Sequence, residues 1–134
     1  MLFKKKCPSC GAKNPKNAVT CAKCGALTEL GQAFDKEIQE LNEAIHLNPQ
    51  DNDAYNRRGV AYFCLEQYDR AIADCSKAIE LNPNYHSPYG NRAWAYKVQG
   101  RKAEAITDWE KYSTLTDDPI LIEMAKQEIK ELSG

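Results

Sequence analysis

The chain has almost no histidine, only His46 and His86 among 134 residues. Each stands beside an expected helix break with no nucleophile pattern near it, so both read as solvated surface side chains. There is no glycine-rich phosphate loop and no catalytic signature of the familiar kinds, and the chain reads as a non-enzyme. Long apolar runs are missing too. Nothing approaches the ~18 apolar residues of a membrane span. Lys4–Lys6 lead into Cys-Pro-Ser-Cys instead of the apolar stretch of a secretion signal, so a cytoplasmic protein without a membrane partner is expected. Acids are absent from residues 1–28, which hold six lysines (Lys4, Lys5, Lys6, Lys13, Lys16, Lys23). The remainder carries all 19 acids against 12 bases, a balance of −7 that the overall net charge of −1 hides. The edge of that split marks a domain boundary, with one unit over 1–28 and a second over 29–134.

Cysteine is what stands out. Four of the six form two copies of one device, Cys7-Pro-Ser-Cys10-Gly and Cys21-Ala-Lys-Cys24-Gly. The two-residue gap lets both sulfurs of a pair point at one centre. Gly11 and Gly25 tolerate the left-handed backbone that turns the chain back around it. Two such turns supply four thiolates, the closed tetrahedral shell of structural zinc. No place is left for water or substrate, so the single ion expected at Cys7, Cys10, Cys21 and Cys24 is structural. Its binding free energy, ~10–16 kcal/mol in zinc-finger peptides, stands in for the apolar core this stretch lacks. Two other uses of such pairs stay open. Rubredoxin-like iron sites are shielded by aromatics, where only Phe3 is near. Redox pairs usually begin a helix in a strand-helix-strand unit, which is absent here. Cys64 and Cys75 read as small core fillers. Together, Cys-Pro-x-Cys-Gly, Asn14-Pro15 and the second Cys-x-x-Cys-Gly resemble the compact zinc ribbons at the ends of many bacterial proteins, over residues 5–26. The ribbon's lysines admit three roles: solvated surface, contact with RNA or DNA phosphates, or contact with an acidic surface.

The rest of the chain repeats. AIHLNPQDNDAYNRRGVAY (44–62) and AIELNPNYHSPYGNRAWAY (78–96) agree at nine of 19 positions with an offset of 34. Ile38, Leu41, Ile45 and Ile72, Cys75, Ile79 are spaced as one face of a helix. Asn48-Pro49 and Asn82-Pro83 end helices, because proline disfavours helix in the residue before it. Ser87-Pro88 and Asp118-Pro119 pair a capping side chain with proline at the first helical position. Helices are expected at about 33–47, 53–65, 69–81, 87–99, 103–115 and 119–132. A period of 34 built from two helices is the tetratricopeptide repeat, and residues 36–132 resemble that family at Tyr55, Gly59, Tyr62, Ala71, Ala78 and Pro83, then Tyr89, Ala93, Tyr96, Ala105 and Trp109. The expected fold is mainly α: a solenoid of about two and a half repeats with a closing helix, preceded by a zinc ribbon that takes the place of a missing first helix.

The resemblance implies a groove lined by the first helix of each pair. By position its lining would be Asp53, Asn56, Arg57, Val60 and Phe63 or Cys64, then Gly90, Asn91, Trp94 and Lys97. Trp94 beside Arg and Asn has the character of a binding hot spot, or else packs on the last helix. Members that clamp a terminal carboxylate use Lys and Asn where Asn56 and Val60 stand here. The function expected is a non-catalytic adaptor, monomeric, binding a peptide or helix in the groove. The alternative is a nucleic-acid-associated protein whose ribbon contacts phosphates.

Overall fold

The structure, a computed structural model, describes residues 4–134; Phe3 lies outside them. Two short strands, β1 (Lys4–Lys6) and β2 (Lys13–Pro15), pair antiparallel with Lys5 opposite Asn14 and Lys6 opposite Lys13. Six helices follow: α1 (Glu29–Leu47), α2 (Asn52–Cys64), α3 (Tyr68–Leu81), α4 (Ser87–Val98), α5 (Lys102–Thr114) and α6 (Pro119–Ser133). Each helix packs on the next, and α2 also touches α4. That pattern is a stack of helical hairpins, in which each unit buries its apolar face on its neighbours.

Helix α1 starts four residues earlier than its apolar spacing suggests. Thr28 is the cause: its hydroxyl accepts from the Gly31 N–H at 3.2 Å and donates to the Ala18 carbonyl. Gly31 hides the start, since glycine is a poor helix former. Its role is close approach, because a Cβ there would lie 2.2 Å from the Val19 carbonyl oxygen. Asn48 and Asn82 end α1 and α3, and each side-chain oxygen accepts from the N–H two residues on, at 3.2 Å in both. Asp118 caps α6 through the Ile120 N–H. Ser87, expected as a cap, is instead the first residue of α4. Its hydroxyl caps no N–H and instead accepts from the Asn56 side chain of α2 at 3.2 Å.

The repeat carries a polar device that its spacing did not reveal. Arg58 of α2 forks onto Asp74 of α3 at 2.8 and 2.7 Å and donates to Asn42 of α1 at 2.9 Å. Thirty-four residues on, Arg92 forks onto Asp108 at 2.7 Å through both nitrogens and donates to Ser76 at 3.0 Å. Each guanidinium also lies over two tyrosine rings, Tyr55 and Tyr62 or Tyr89 and Tyr96. One residue thus ties three helices. Both aspartates are buried, and losing either arginine would strand a buried charge at a cost of ~3–5 kcal/mol.

The core of the second half gathers Tyr89, Ala93, Tyr96, Ala105, Trp109, Tyr112 and Ala125. Tyr112, where the repeat pattern has alanine, fills the space left by Gly90: a Cβ on Gly90 would meet the Tyr112 ring at 2.9 Å. Cys75 is buried as expected of a core filler, and burial pushes its thiol up to about 12.

Candidate functional site: a thiolate cluster and a helical groove

The two cysteine turns are near copies. The Cys7 N–H donates to the Ala12 carbonyl and the Gly11 N–H to the Cys7 carbonyl, at 2.8 and 2.9 Å; Cys21, Ala26 and Gly25 repeat this at 2.8 Å each. Gly11 and Gly25 both hold φ of 73°, a left-handed backbone that glycine adopts without strain. The turns bring Cys7 Sγ within 3.6 Å of Cys24 Sγ, and Cys10 Sγ within 3.7 Å of Cys21 Sγ. All four sulfurs lie within 4.8 Å of one another. A tetrahedron of thiolates ~2.3 Å from a central ion has edges of about 3.8 Å, so the four cysteines are positioned to bind a metal.

The electrostatics of the turns favour thiolates unequally. The Cys24 backbone N–H, helped by Asn14, holds the Cys21 thiol down to about 6. The Cys10 N–H likewise lowers Cys7. At Cys24 the Ala26 N–H pulls down, but the neighbouring Cys10 and Cys7 thiols and desolvation outweigh it and push Cys24 up to about 12. Asn14 joins the two turns. It is buried, donates to the Ala12 carbonyl and accepts from the Ala22 N–H, both at 3.0 Å. The sequence shows Asn14 only as part of a motif. Its clasp needs the second turn folded back on the first.

The ribbon joins α1 without a linker. The Thr28 N–H donates to the Val19 carbonyl at 2.9 Å, and Lys5 meets Glu29 at 2.7 Å, which lowers that carboxyl below its usual range. These links run to the first turn of α1.

The expected groove residues divide. Asp53, Arg57 and Val60 are exposed along one face of α2. Val60 and Phe63 come together with Asn91 and Trp94 of α4 around a cavity of ≈ 90 Å³. Asn56 departs from the lining role: it is buried, donates to Ser87 Oγ at 3.2 Å and accepts from Asn91 at 2.9 Å. It fastens α2 to α4 beneath the groove. Gly90 is likewise buried against Tyr112. Trp94 is half-buried and stands edge-on to Trp109, with centroids 5.5 Å apart. Lys97 lies 4.9 Å over the Trp94 ring and pairs with Glu128 of α6 at 2.6 Å and Glu131 at 3.7 Å. The Glu128 carboxylate raises the ammonium above its usual value. Arg57 meets Glu37 of α1 at 3.5 Å. Cys64, at the groove's end, is half-buried; burial, then Glu37, pushes its thiol up. The histidines differ. His46 is exposed, whereas His86 is half-buried and packs edge-on to Tyr112 at 5.2 Å. No helix among the described residues is long and apolar enough to cross a membrane.

Stacked helical hairpins behind a four-thiolate turn pair define a repeat solenoid with a metal-binding cap, and the comparisons agree. The tetratricopeptide-repeat models match residues 53–85 and 75–107, and the zinc-ribbon domain model matches residues 6–27. The chain is a tetratricopeptide-repeat protein with an N-terminal zinc-ribbon domain. Among solved structures, it is similar to the first repeat domain of Spaghetti (RPAP3) bound to the HSP90 peptide SRMEEVD. That match has 25% identity and a TM-score of 0.70, and covers 77% of this chain and 79% of that one. It is similar to the TPR2B domain of yeast Sti1 in its complex with pHsp70, at 25% identity and a TM-score of 0.71, covering 77% and 85%. The repeat domain of Arabidopsis OM64 matches at 25% identity and a TM-score of 0.70, covering 75% and 84%. No curated protein gives a significant match to the sequence.

Proposed function

We propose that this protein is a non-catalytic adaptor of the cytoplasm, acting as a monomer, that binds an extended peptide or a helix in the groove between α2 and α4. One structural zinc ion at Cys7, Cys10, Cys21 and Cys24 holds the ribbon. The observation that carries the reading is the cavity framed by Val60, Phe63, Asn91 and Trp94. It is a small apolar opening with an indole wall, the kind of pocket that anchors a partner's side chain. The peptide-bound neighbours support it by sharing the fold. For the ion, the closed set of four thiolates fits structural zinc. In a pull-down of the native partner, Trp94→Ala and Val60→Arg are expected to weaken capture at least tenfold while the helical circular-dichroism signal stays. Capture equal to wild type by both variants would sink the groove assignment.

A second reading has its own observation. Lys6 and Lys13 stand directly opposite across the hairpin, both exposed, with Lys4 two residues along the same face. Like charges so placed repel, and a polyanion laid across them would relieve this. No aromatic side chain is present in residues 4–28, so contact would be with phosphates and strongly salt-dependent. Titration of the full chain with single-stranded RNA at ~50 mM salt decides it; no binding there ends this reading.

A further inference from the structure

The charges around the groove say more than that a peptide binds there: they select which peptide, a selection that rests on the groove reading above. Asp53 is exposed two helical turns before Val60, about 10 Å along α2. On the other side of the cavity lies Lys97, one turn beyond Trp94, shared between Glu128 and Glu131. The Lys97–Glu128 pair is the more enclosed, with side chains 31% and 12% exposed, and the indole ring lies under the ammonium. Arg57, the remaining cation, faces Glu37. Four carboxylates (Glu37, Asp53, Glu128, Glu131) therefore meet two cations, and both cations already have acidic partners. Glu131 stays 53% exposed, and the second ion pair of Lys97 is long. An acidic peptide would find no unengaged cation in this set. Its carboxylates would have to displace Glu128 or Glu37, or lie beside Asp53 and Glu131.

We propose that the groove selects a peptide with one aliphatic side chain in the Val60–Trp94 cavity and cationic residues on either side of it, and rejects acidic peptides such as SRMEEVD. The ≈ 90 Å³ cavity is smaller than the roughly 150 Å³ that takes up a benzene, which favours an aliphatic anchor over an aromatic one. Extended chain advances ~3.3 Å per residue, so a cation two or three residues before the anchor reaches Asp53, and one two or three residues after it reaches Glu131. Discrimination comes from both sides: attraction of the right flanks and repulsion of the wrong ones.

The test uses the full zinc-loaded chain, ¹⁵N-labelled, and three amidated peptides: Lys-Lys-Ser-Leu-Ser-Lys-Lys, its glutamate twin Glu-Glu-Ser-Leu-Ser-Glu-Glu, and SRMEEVD. The chain has two tryptophans, so its spectrum holds two indole signals. The lysine peptide is expected to shift the Trp94 indole signal and leave that of buried Trp109 nearly unmoved. It should bind at least tenfold tighter than either acidic peptide at low salt, with the gap closing as salt screens the flanks. Asp53→Asn combined with Glu131→Gln, both at exposed positions, should weaken the lysine peptide threefold or more. Acidic peptides that bind as tightly as the lysine peptide, through Trp94, would overturn the charge selection while leaving the groove in place. Failure of every peptide to move the Trp94 signal would overturn the selection and the groove reading together.

Discussion

Glu66 holds a left-handed backbone, φ 61°, in the turn between α2 and α3, and Gly100 holds φ 75° one repeat later. The two turns share their hydrogen bonds: Gln67 N–H to the Tyr62 carbonyl and Arg101 N–H to the Tyr96 carbonyl, both 2.9 Å. A side chain in this conformation costs roughly 1–2 kcal/mol, and glycine's extra freedom in the unfolded chain returns part of that. Glu66→Gly should therefore stabilise the protein by about 0.5–1 kcal/mol, read as a higher urea midpoint; a lower midpoint would contradict the account. At this scale the sequence was legible where one residue does a local job. Gly11 and Gly25 could be assigned to their turns, and Asn48 and Asn82 to their helix ends, because each role is set within three or four residues. Arg58 and Asp74 are 16 residues apart and meet only through the pairing of α2 with α3. Asn56 and Ser87 meet only through α2 against α4. Such polar contacts need the assembled stack before they can be named. So do the surroundings of the expected groove positions: Asn56 and Gly90 are buried, and α6 supplies the carboxylates that hold Lys97.

Between elements, the join of ribbon and α1 is the informative place. Thr28 closes the ribbon and caps the helix, and Gly31 permits the contact. Gly31→Ala puts a methyl 2.2 Å from the Val19 carbonyl, and overpacking of this kind costs ~1–3 kcal/mol. The expected result is loss of the Thr28 and Gly31 amide protection in hydrogen exchange, with α3 to α6 unchanged. Retained protection would show that the ribbon and helix are not joined there. The ribbon itself is expected to depend on a bound metal ion. At pH 7.5 a thiol at about 6, as at Cys21, is mostly thiolate, whereas one at about 12, as at Cys24, still carries its proton. Metal binding at that pH must then release protons from the thiol cluster, and affinity must fall as pH drops through 6, where the cluster takes up more. Calorimetry of zinc uptake in buffers of different ionisation enthalpy measures this. Equal heats in every buffer, meaning no proton release, would contradict it. Chelation should unfold residues 4–28 and fray the start of α1 while most helical signal survives.

The whole molecule is a basic zinc-ribbon cap running without a linker into an acidic helical stack, with an apolar opening between α2 and α4. Its four clustered cysteines are positioned to bind a metal. Two surfaces compete for the working role: the α2–α4 groove and the lysine face of the hairpin. A photo-crosslinking amino acid placed at Val60, at Lys13 or, as a control, at exposed Thr107 of α5, each in the native cell, separates them most directly. The expected result is a protein adduct from position 60 that disappears when Trp94→Ala is added, and none from position 107. Adducts from position 13 alone, to nucleic acid or protein, would contradict it.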